Sequence, residues 1–282
     1  MLGPNGAGKT TSITCLTGLA QPTSGDAYVG GLSIRSHMAQ IYKMMGVCPQ
    51  HDILWDVLTA SEHMEFYGAL KHLKGPALKQ AVIDGLRDVS LLNWKDQKVS
   101  SFSGGMKRRL SVAISMIGSP TVCYLDEPST GLDPASRRAL WKCVKKHKHS
   151  RALFLTTHSM EEAEELCDRI GIFVDGSLRC IDAPKALAAR FGGFFILTVT
   201  TSSIESAQAV TKKVLEMCHD KARITYALGS TQKFEIPVTH AALSKVFTVM
   251  TEGKQGLGIE DWGIASATLE ETFLRLCQGT ET

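Results

Sequence analysis

The sequence lacks the features that define several common protein classes. Its eight cysteines are scattered without a Cys-x-x-Cys pair, which favours reduced intracellular thiols over a disulfide framework or a zinc site. No apolar stretch approaches the roughly 18 residues needed to span a bilayer, and no signal peptide precedes the first motif. A net charge of +3 is too small to indicate a nucleic-acid partner.

The chain also has few residues ahead of its first motif. A phosphate-binding loop normally follows a β-strand, and here only Met1 and Leu2 precede Gly3. We therefore expect the supporting strand to be missing and its neighbours in the sheet to keep unpaired backbone groups. The 282 residues, 44% hydrophobic and 21% charged, otherwise predict one large or two modest globular domains.

The first eleven residues carry the pattern G-x-x-x-x-G-K-[ST], formed by Gly3, Gly8, Lys9 and Thr10. Its glycines allow backbone N–H groups to wrap closely around a phosphate chain. Lys9 would reach the β- and γ-phosphates, and the Thr10 hydroxyl can bind Mg²⁺. Residues 11–18 are predicted to be helical, so the phosphates would lie at a helix N-terminus, which attracts anions.

Two adjacent carboxylates follow an apolar strand predicted at residues 121–125. Asp126 and Glu127 would stand at its C-terminal end, where buried carboxylates are costly without partners or a role. Asp126 fits a residue that holds Mg²⁺ through water, and Glu127 fits one that polarises an attacking water. His158 follows the next apolar strand, at residues 152–157, and we interpret it as a γ-phosphate contact.

Weaker signals organise the segments between these motifs. A short strand is predicted at residues 26–31, and a buried strand at 45–50 places Gln50 at the start of a loop. Helices are predicted at 60–73 and 76–92, forming an inserted helical block.

Capping signals mark three of the helices. Thr59 with Glu62, and Ser159 with Glu162, match the capping-box pattern. Ser103-Gly104-Gly105 opens a helix and offers a second potential anion site, although serine alone is simply a good N-cap.

Beyond Gly192-Gly193 the pattern changes to strand, helix, strand, strand, helix, strand. The predicted ranges are 194–201, 203–218, 222–228, 232–238, 241–252 and 259–266. This is the βαββαβ order of a ferredoxin-like unit, and a last helix follows at 268–277. No catalytic cluster is visible here, so we interpret this region as a regulatory or interaction domain.

Taken together, these motifs resemble those of an ATP-binding cassette (ABC) ATPase over residues 1 to about 190. The motifs that carry the resemblance are Gly-Lys-Thr-Thr, Gln50, Ser103-Gly104-Gly105, Asp126-Glu127, Asp133 and His158. Finer features look like subfamily A in its plant or algal form, whose members are mostly lipid transporters. They are Gly46-Val47-Cys48-Pro49-Gln50, Ser-Gly-Gly-Met-Lys-Arg-Arg-Leu-Ser, and the segments at 157–163 and 269–274.

The resemblance implies an α/β P-loop NTPase fold in two domains. Residues 1–192 would form the cassette, with a helical subdomain at about 57–115 and without the strand before Walker A. Residues 193–282 resemble the small α+β, ferredoxin-like regulatory domain that follows subfamily A cassettes.

The resemblance also assigns roles to individual residues. Glu127, His158 and Gln50 would be catalytic, with Glu127 as general base, and Thr10, Gln50 and Asp126 would hold Mg²⁺. Ser103, Gly104 and Gly105 would contact the ATP of an opposite cassette, and Asp133 would belong to the D-loop at the dimer interface. The implied ATP-binding residues are Gly3, Pro4, Asn5, Gly6, Ala7, Gly8, Lys9, Thr10 and Thr11.

The implied activity is ATP hydrolysis that drives transport, with ATP and Mg²⁺ as cofactors. The implied partners are a second cassette and the transmembrane domains of a transporter, which residues 50–56 and the helical block would face. The chain would then lie at the cytosolic face of a membrane, without a nucleic-acid partner.

Two departures from the family pattern stand out. Position 106 is Met rather than the commonest glutamine, as is usual in subfamily A. The aromatic residue that stacks on adenine upstream of Walker A is absent, and base stacking contributes roughly 1–3 kcal/mol. The hypothesis follows that this chain is a fragment or an incomplete gene model that hydrolyses ATP poorly alone.

Two other functions stay open at this point. One is a soluble, non-transport ABC ATPase, for which a tandem second cassette or a basic linker would be expected. The other is an inactive nucleotide-binding fragment, which the missing strand favours and the intact Glu127 and His158 disfavour.

Overall fold

The computed structural model describes residues 1–191, 193–218, 221–237, 243–266 and 268–278. The chain divides into two compact units, Met1–Cys180 and Ile181–Thr282. Gly192, at the predicted domain boundary, lies outside the described residues, as do positions 238, 241 and 242 in the predicted strand 232–238 and helix 241–252. No helix of the described residues is both long and apolar enough to cross a membrane.

The first unit alternates helices and short strands. In chain order its elements are α1 (Lys9–Leu16), β1 (Tyr28–Val29), β2 (Leu32–Ser33), α2 (Met38–Met44), β3 (Met45–Cys48), α3 (Ala60–Leu70), α4 (Gly75–Asp88), α5 (Gly104–Met116), β4 (Val122–Asp126), α6 (Pro134–His147), β5 (Ala152–Thr156), α7 (Met160–Leu166), β6 (Ile170–Val174) and β7 (Ser177–Asp182). Two 3-10 turns, Leu92–Trp94 and Val99–Ser101, connect α4 to α5.

A parallel sheet forms the centre of this unit and positions the site. Its strands β3, β4 and β5 lie side by side in that order, and β4 is buried throughout. Leu2 makes parallel bridges to Thr157, just after β5, and to Ile172 in β6, so it lies between these two strands. The first loop and the ends of β3, β4 and β5 therefore share one edge of the sheet, where ligands bind in open α/β folds.

The helical block packs against this sheet as the apolar pattern predicts. Val82, Leu86 and Val89 of the predicted stripe are buried in a core that α3, α4 and α5 share with β4. Helices α3 and α4 end earlier than predicted because His72 (φ 63°) and Ser90 (φ 58°) turn into the left-handed region, which stops a helix.

Two local predictions need correction. Residues 26–31 do not form one strand, because Gly30 and Gly31 (φ 57° and 81°) form a tight turn between β1 and β2. The second capping box is only half formed. Ser159 accepts a hydrogen bond from the Glu162 N–H, but the Glu162 carboxylate instead accepts one from the Trp141 indole at 3.3 Å. The first box, at Thr59 and Glu62, is confirmed in both bonds.

The second unit is a four-stranded antiparallel sheet with helices. Its elements are α8 (Pro184–Phe191), β8 (Phe194–Thr201), α9 (Ile204–Met217), β9 (Arg223–Leu228), β10 (Thr231–Pro237), α10 (Leu243–Gly256), β11 (Ile259–Ser266) and α11 (Leu269–Gln278). The sheet order is β11-β8-β10-β9. In this order β10 lies between β8 and β9, and β8 lies between β10 and β11, so each βαβ unit is split by one strand of the other. The predicted ferredoxin-like βαββαβ order is therefore confirmed. The mixed α/β class predicted for the chain is confirmed as well.

Candidate active site

The first loop has the backbone geometry that its glycines predict. Gly6 and Gly8 adopt φ values of 81° and 89°, and Gly8 caps α1 in the left-handed conformation. A β-carbon on Gly3 would lie 2.6 Å from the backbone oxygen of Phe173, too close for any other residue. The loop thus turns tightly into the N-terminus of α1, where free N–H groups and the helix dipole favour an anion.

Lys9 extends back under the loop that precedes it. Its ammonium is buried and donates hydrogen bonds to the carbonyls of Gly3 (2.8 Å) and Pro4 (3.0 Å). It lies 3.8 Å from Oε1 of Glu127. Burial lowers the pKa of Lys9, and the carboxylates of Glu127 and Asp126 partly oppose that shift. The lysine therefore places a cation between the loop and the carboxylate pair.

Asp126 and Glu127 are both buried at the end of β4. Oδ1 of Asp126 accepts hydrogen bonds from the hydroxyls of Thr10 (3.3 Å) and Thr156. Glu127 adopts a left-handed backbone (φ 46°), and its N–H donates to the Thr156 hydroxyl at 3.0 Å. Asp126 therefore faces the metal-binding hydroxyl predicted from the sequence.

The carboxylate of Glu127 has partners on its other side. Its Oε2 accepts a hydrogen bond from the Thr130 hydroxyl at 3.1 Å and lies 3.4 Å from Nδ1 of His158. The His158 side chain is about half exposed, so it can meet a ligand as well as Glu127.

A pocket of about 270 Å³ lies over the loop. Its lining combines the loop with two of the three catalytic positions predicted at strand ends, Gln50 and Glu127, whereas His158 is not among the lining residues. The lining residues are Asn5, Gly6, Ala7, Gly8, Lys9, Thr10, Thr11, Gln50 and Glu127. Gly3 and Pro4 contribute through their carbonyls, which hold Lys9.

The residues predicted to contact the ATP of an opposite cassette, Ser103, Gly104 and Gly105 (the signature), do not line this pocket. Ser103 caps α5 by accepting a hydrogen bond from the Met106 N–H at 3.2 Å, and Gly104 is exposed beside it. A β-carbon on Gly105 would lie 2.7 Å from Oγ of Ser136 and 3.3 Å from Oδ2 of Asp133. Within one chain, Gly105 therefore packs closely against Ser136 and Asp133, while Ser103 is exposed and caps α5.

Asp133 is itself a helix cap. Its Oδ1 accepts hydrogen bonds from the N–H groups of Ala135 and Ser136, both at 3.0 Å. Hydrogen bonds from the Ser136 hydroxyl and backbone keep the pKa of Asp133 below its usual value.

Sequence reasoning missed three residues that shape the site. Thr156 and Thr130 hold the carboxylate pair, and Arg108 binds the backbone around it. The two threonines gave no sequence signal because threonine is common in strands and turns. Arg108 gave a weak one, since it lies four residues before the buried Val112, on the face of α5 that faces the core.

The donor atoms at the site suit a hard divalent cation. A hydroxyl (Thr10), a carboxylate (Asp126) and a side-chain amide (Gln50) are oxygen ligands of the kind Mg²⁺ prefers. Among the described residues no three His, Cys, Asp or Glu side chains are grouped to hold a metal by themselves. Mg²⁺ is usually bound by one or two protein ligands plus substrate phosphates, and Thr10 and Asp126 can supply those protein ligands.

The loop, the buried lysine and the Asp-Glu pair at a neighbouring strand end define a P-loop nucleoside triphosphatase. A family model described as "ABC transporter" matches residues 1–130, and one described as "ABCA12-like, C-terminal domain" matches residues 195–247. The chain therefore contains an ABC transporter ATP-binding domain.

Its relatives include members of the A family in Arabidopsis thaliana. The chain is 53% identical to ABC transporter A family member 8 and 54% identical to member 3, in each case over 99% of its own length. It spans about a third of the length of these relatives, 31% and 30% respectively.

Solved structures show the same fold. An ATP-binding subunit of an ABC transporter is 26% identical, with a TM-score of 0.62 over 68% of this chain and 80% of that one. A dimeric, post-hydrolysis ATP-binding cassette bound to ADP and Pi has a TM-score of 0.59 at 23% identity, covering 64% of this chain and 83% of that one.

Proposed function

We propose that this chain is the ATP-hydrolysing cassette of a subfamily A ABC transporter. In this proposal ATP binds with its phosphates in the pocket over α1, held by the loop amides and the Lys9 ammonium. The observation that carries the proposal is the convergence of Lys9, Gln50 and Glu127 on that one pocket. Preorganised charges of this kind are the main source of catalysis in phosphoryl transfer.

Each polar residue then has a distinct role in hydrolysis. Glu127 orients a water molecule for attack on the γ-phosphorus and accepts its proton, while ADP leaves and inorganic phosphate forms. His158, beside the same carboxylate, contacts the γ-phosphate. Thr10, Asp126 and Gln50 hold Mg²⁺, which supplies charge neutralisation on the phosphates.

The site is proposed to be complete only when two cassettes meet. Ser103, Gly104 and Gly105 lie away from the pocket of their own chain, yet Ser103 opens a helix whose N-terminus suits an anion. We propose that they contact the γ-phosphate bound by a second cassette, with Asp133 of the D-loop at the same interface. ATP then joins the two cassettes, and hydrolysis releases them.

We propose that the joining and separation of the cassettes is transmitted to transmembrane domains that move lipids. Residues 50–56 and the helical block offer exposed apolar side chains for such a contact, among them Ile53, Trp55, Val57 and Phe66. The names of the Arabidopsis relatives, ABC transporter A family members, support the contact with a transporter, and the lipid cargo follows from the resemblance to subfamily A. It places the chain at the cytosolic face of a membrane.

The general-base assignment is tested by Glu127→Gln, which keeps the size of the side chain and removes its basicity. We expect turnover of Mg²⁺-ATP to fall by about 10²–10⁴-fold, because that is the usual contribution of a general base. Equilibrium binding of Mg²⁺-ATP should survive, since the loop is unchanged. Wild-type turnover in this variant would show that Glu127 is not the base.

A further inference from the structure

Arg108 carries a buried guanidinium that none of the roles above requires. It lies on α5, the signature helix, and is 5% exposed. Its one carboxylate partner among the described residues is Asp52, 3.1 Å away. Burying a cation costs free energy unless its N–H donors are hydrogen-bonded. The other hydrogen-bond partners of the Arg108 guanidinium therefore indicate its role.

Three of those bonds go to consecutive carbonyls at the end of β4. One terminal nitrogen, Nη2, donates to the carbonyls of Asp126 (2.5 Å) and Glu127 (3.1 Å), and Nε donates to that of Pro128 (3.1 Å). Glu127 is the residue with the left-handed backbone (φ 46°), a conformation that residues with a β-carbon keep only where their surroundings fix it. Arg108 holds this turn from its carbonyl side, and Thr156 holds it from its N–H side.

The remaining terminal nitrogen reaches the loop after β3. Nη1 donates to the carbonyl of Pro49 at 2.6 Å and to Oδ1 of Asp52 at 3.1 Å. Pro49 directly precedes Gln50, which lines the same pocket as Glu127. One rigid, planar group therefore joins the two loops from which Gln50 and Glu127 project.

We propose that Arg108 is a positioning residue for ATP hydrolysis, which fixes the spacing of Gln50 and Glu127 across the pocket from behind. It does not line the pocket itself. The inference rests on the proposed function, since it assigns Arg108 a part in the same reaction. A lysine could not replace it, because one ammonium cannot reproduce the fork that binds five acceptors in three directions.

The test compares variants of the full 282-residue chain. Arg108→Lys keeps the charge and loses the fork, and we expect kcat for Mg²⁺-ATP to fall by about 10²-fold, as misplacement by about 1 Å can cause. Equilibrium affinity for Mg²⁺-ATP should change by no more than about threefold, because the phosphate loop is untouched. Asp52→Asn keeps all the carbonyl bonds of Arg108 and should give a smaller loss of kcat with unchanged affinity.

Lys71→Gln is the matched control. Lys71 also donates to two backbone carbonyls, those of Tyr42 (2.9 Å) and Met45 (2.7 Å), but it does not line the pocket. This control should lower the thermal midpoint while kcat stays at the wild-type value. A kcat loss in Arg108→Lys no larger than in the control would overturn the inference, as would an equal loss of affinity and kcat.

The failure of the proposed function gives a different result. A wild-type chain without Mg²⁺-dependent turnover would refute the proposed function and this inference with it. An active wild type with an equally active Arg108→Lys variant would refute the inference alone. If Arg108→Lys does not fold, Asp52→Asn decides: reduced kcat with retained affinity supports the role of Arg108, and unchanged kcat contradicts it.

Discussion

Thr156 offers the sharpest test of how the carboxylate pair is held. Its side chain is fully buried at the end of β5, where its hydroxyl donates to Oδ1 of Asp126 and accepts the N–H of Glu127. Thr156→Val keeps the shape of the side chain and removes only the hydroxyl. The Glu127 N–H retains a second acceptor, the backbone oxygen of Thr156 at 3.2 Å, so the main loss falls on the Asp126 carboxylate.

The magnitude follows from that one lost bond. A hydrogen bond to a charged group contributes about 1.5–3 kcal/mol, and the buried carboxylate has few other partners. A domain of 150–250 residues, like the first unit, shifts its thermal midpoint by about 2–4 °C per kcal/mol. We therefore expect Thr156→Val to lower the midpoint by about 3–12 °C and to weaken Mg²⁺-ATP binding, because Asp126 is no longer oriented toward Thr10.

The assay is calorimetric unfolding together with titration of Mg²⁺-ATP. Thr157→Val is the matched control next in the chain, because the hydroxyl of Thr157 accepts a bond from a neutral group, the Ser159 N–H, at 2.9 Å. That neutral bond contributes about 0.5–1.5 kcal/mol, so the control should shift the midpoint less. Thr156→Ser should restore both stability and binding. The reasoning is refuted if Thr156→Val unfolds like the wild type, or if the control loses as much stability and binding.

Two further predictions concern the phosphate loop. Gly3→Ala should destabilise the fold by at least about 1–3 kcal/mol in denaturant titration, because its methyl group meets the Phe173 backbone oxygen, which has no room to move; unchanged stability would contradict that packing. Burial lowers the pKa of Lys9 from 10.5. Between the folded and unfolded pKa values, the unfolded chain therefore binds more protons than the folded chain. Over that range Lys9 makes the unfolding free energy rise with pH. The slope of unfolding free energy just below pH 10.5 should therefore be smaller in Lys9→Met than in the wild type, and equal slopes would contradict the shift.

The elements that sequence predicts well are those whose signals are local. The glycines of the first loop, the Thr59 cap and the apolar run of β4 each specify their conformation within a few residues. The order of strands and helices after residue 193 likewise specifies a split βαβ sheet. Local signals also placed Gln50 and Glu127 at strand ends, which a parallel sheet brings to one edge.

The side-chain contacts that could not be predicted from the sequence join residues that lie far apart along the chain. Arg108 binds groups near 49, 52 and 126–128, and Thr156 binds a carboxylate on another strand. Glu162 matched a capping box, yet Trp141 captured its carboxylate because both lie in the same buried space. Such pairings arise from packing, and no spacing rule within a segment reveals them.

The roles assigned to the signature and to Glu127 meet in one measurement, the mass of the Glu127→Gln chain in solution. With Mg²⁺-ATP at saturation, light scattering should give twice the mass of one chain, and with Mg²⁺-ADP it should give a single chain. Adding Ser103→Arg should prevent the doubling, because the serine would no longer reach the neighbouring γ-phosphate. A single-chain mass for Glu127→Gln with ATP bound would contradict the proposal that two cassettes share each nucleotide.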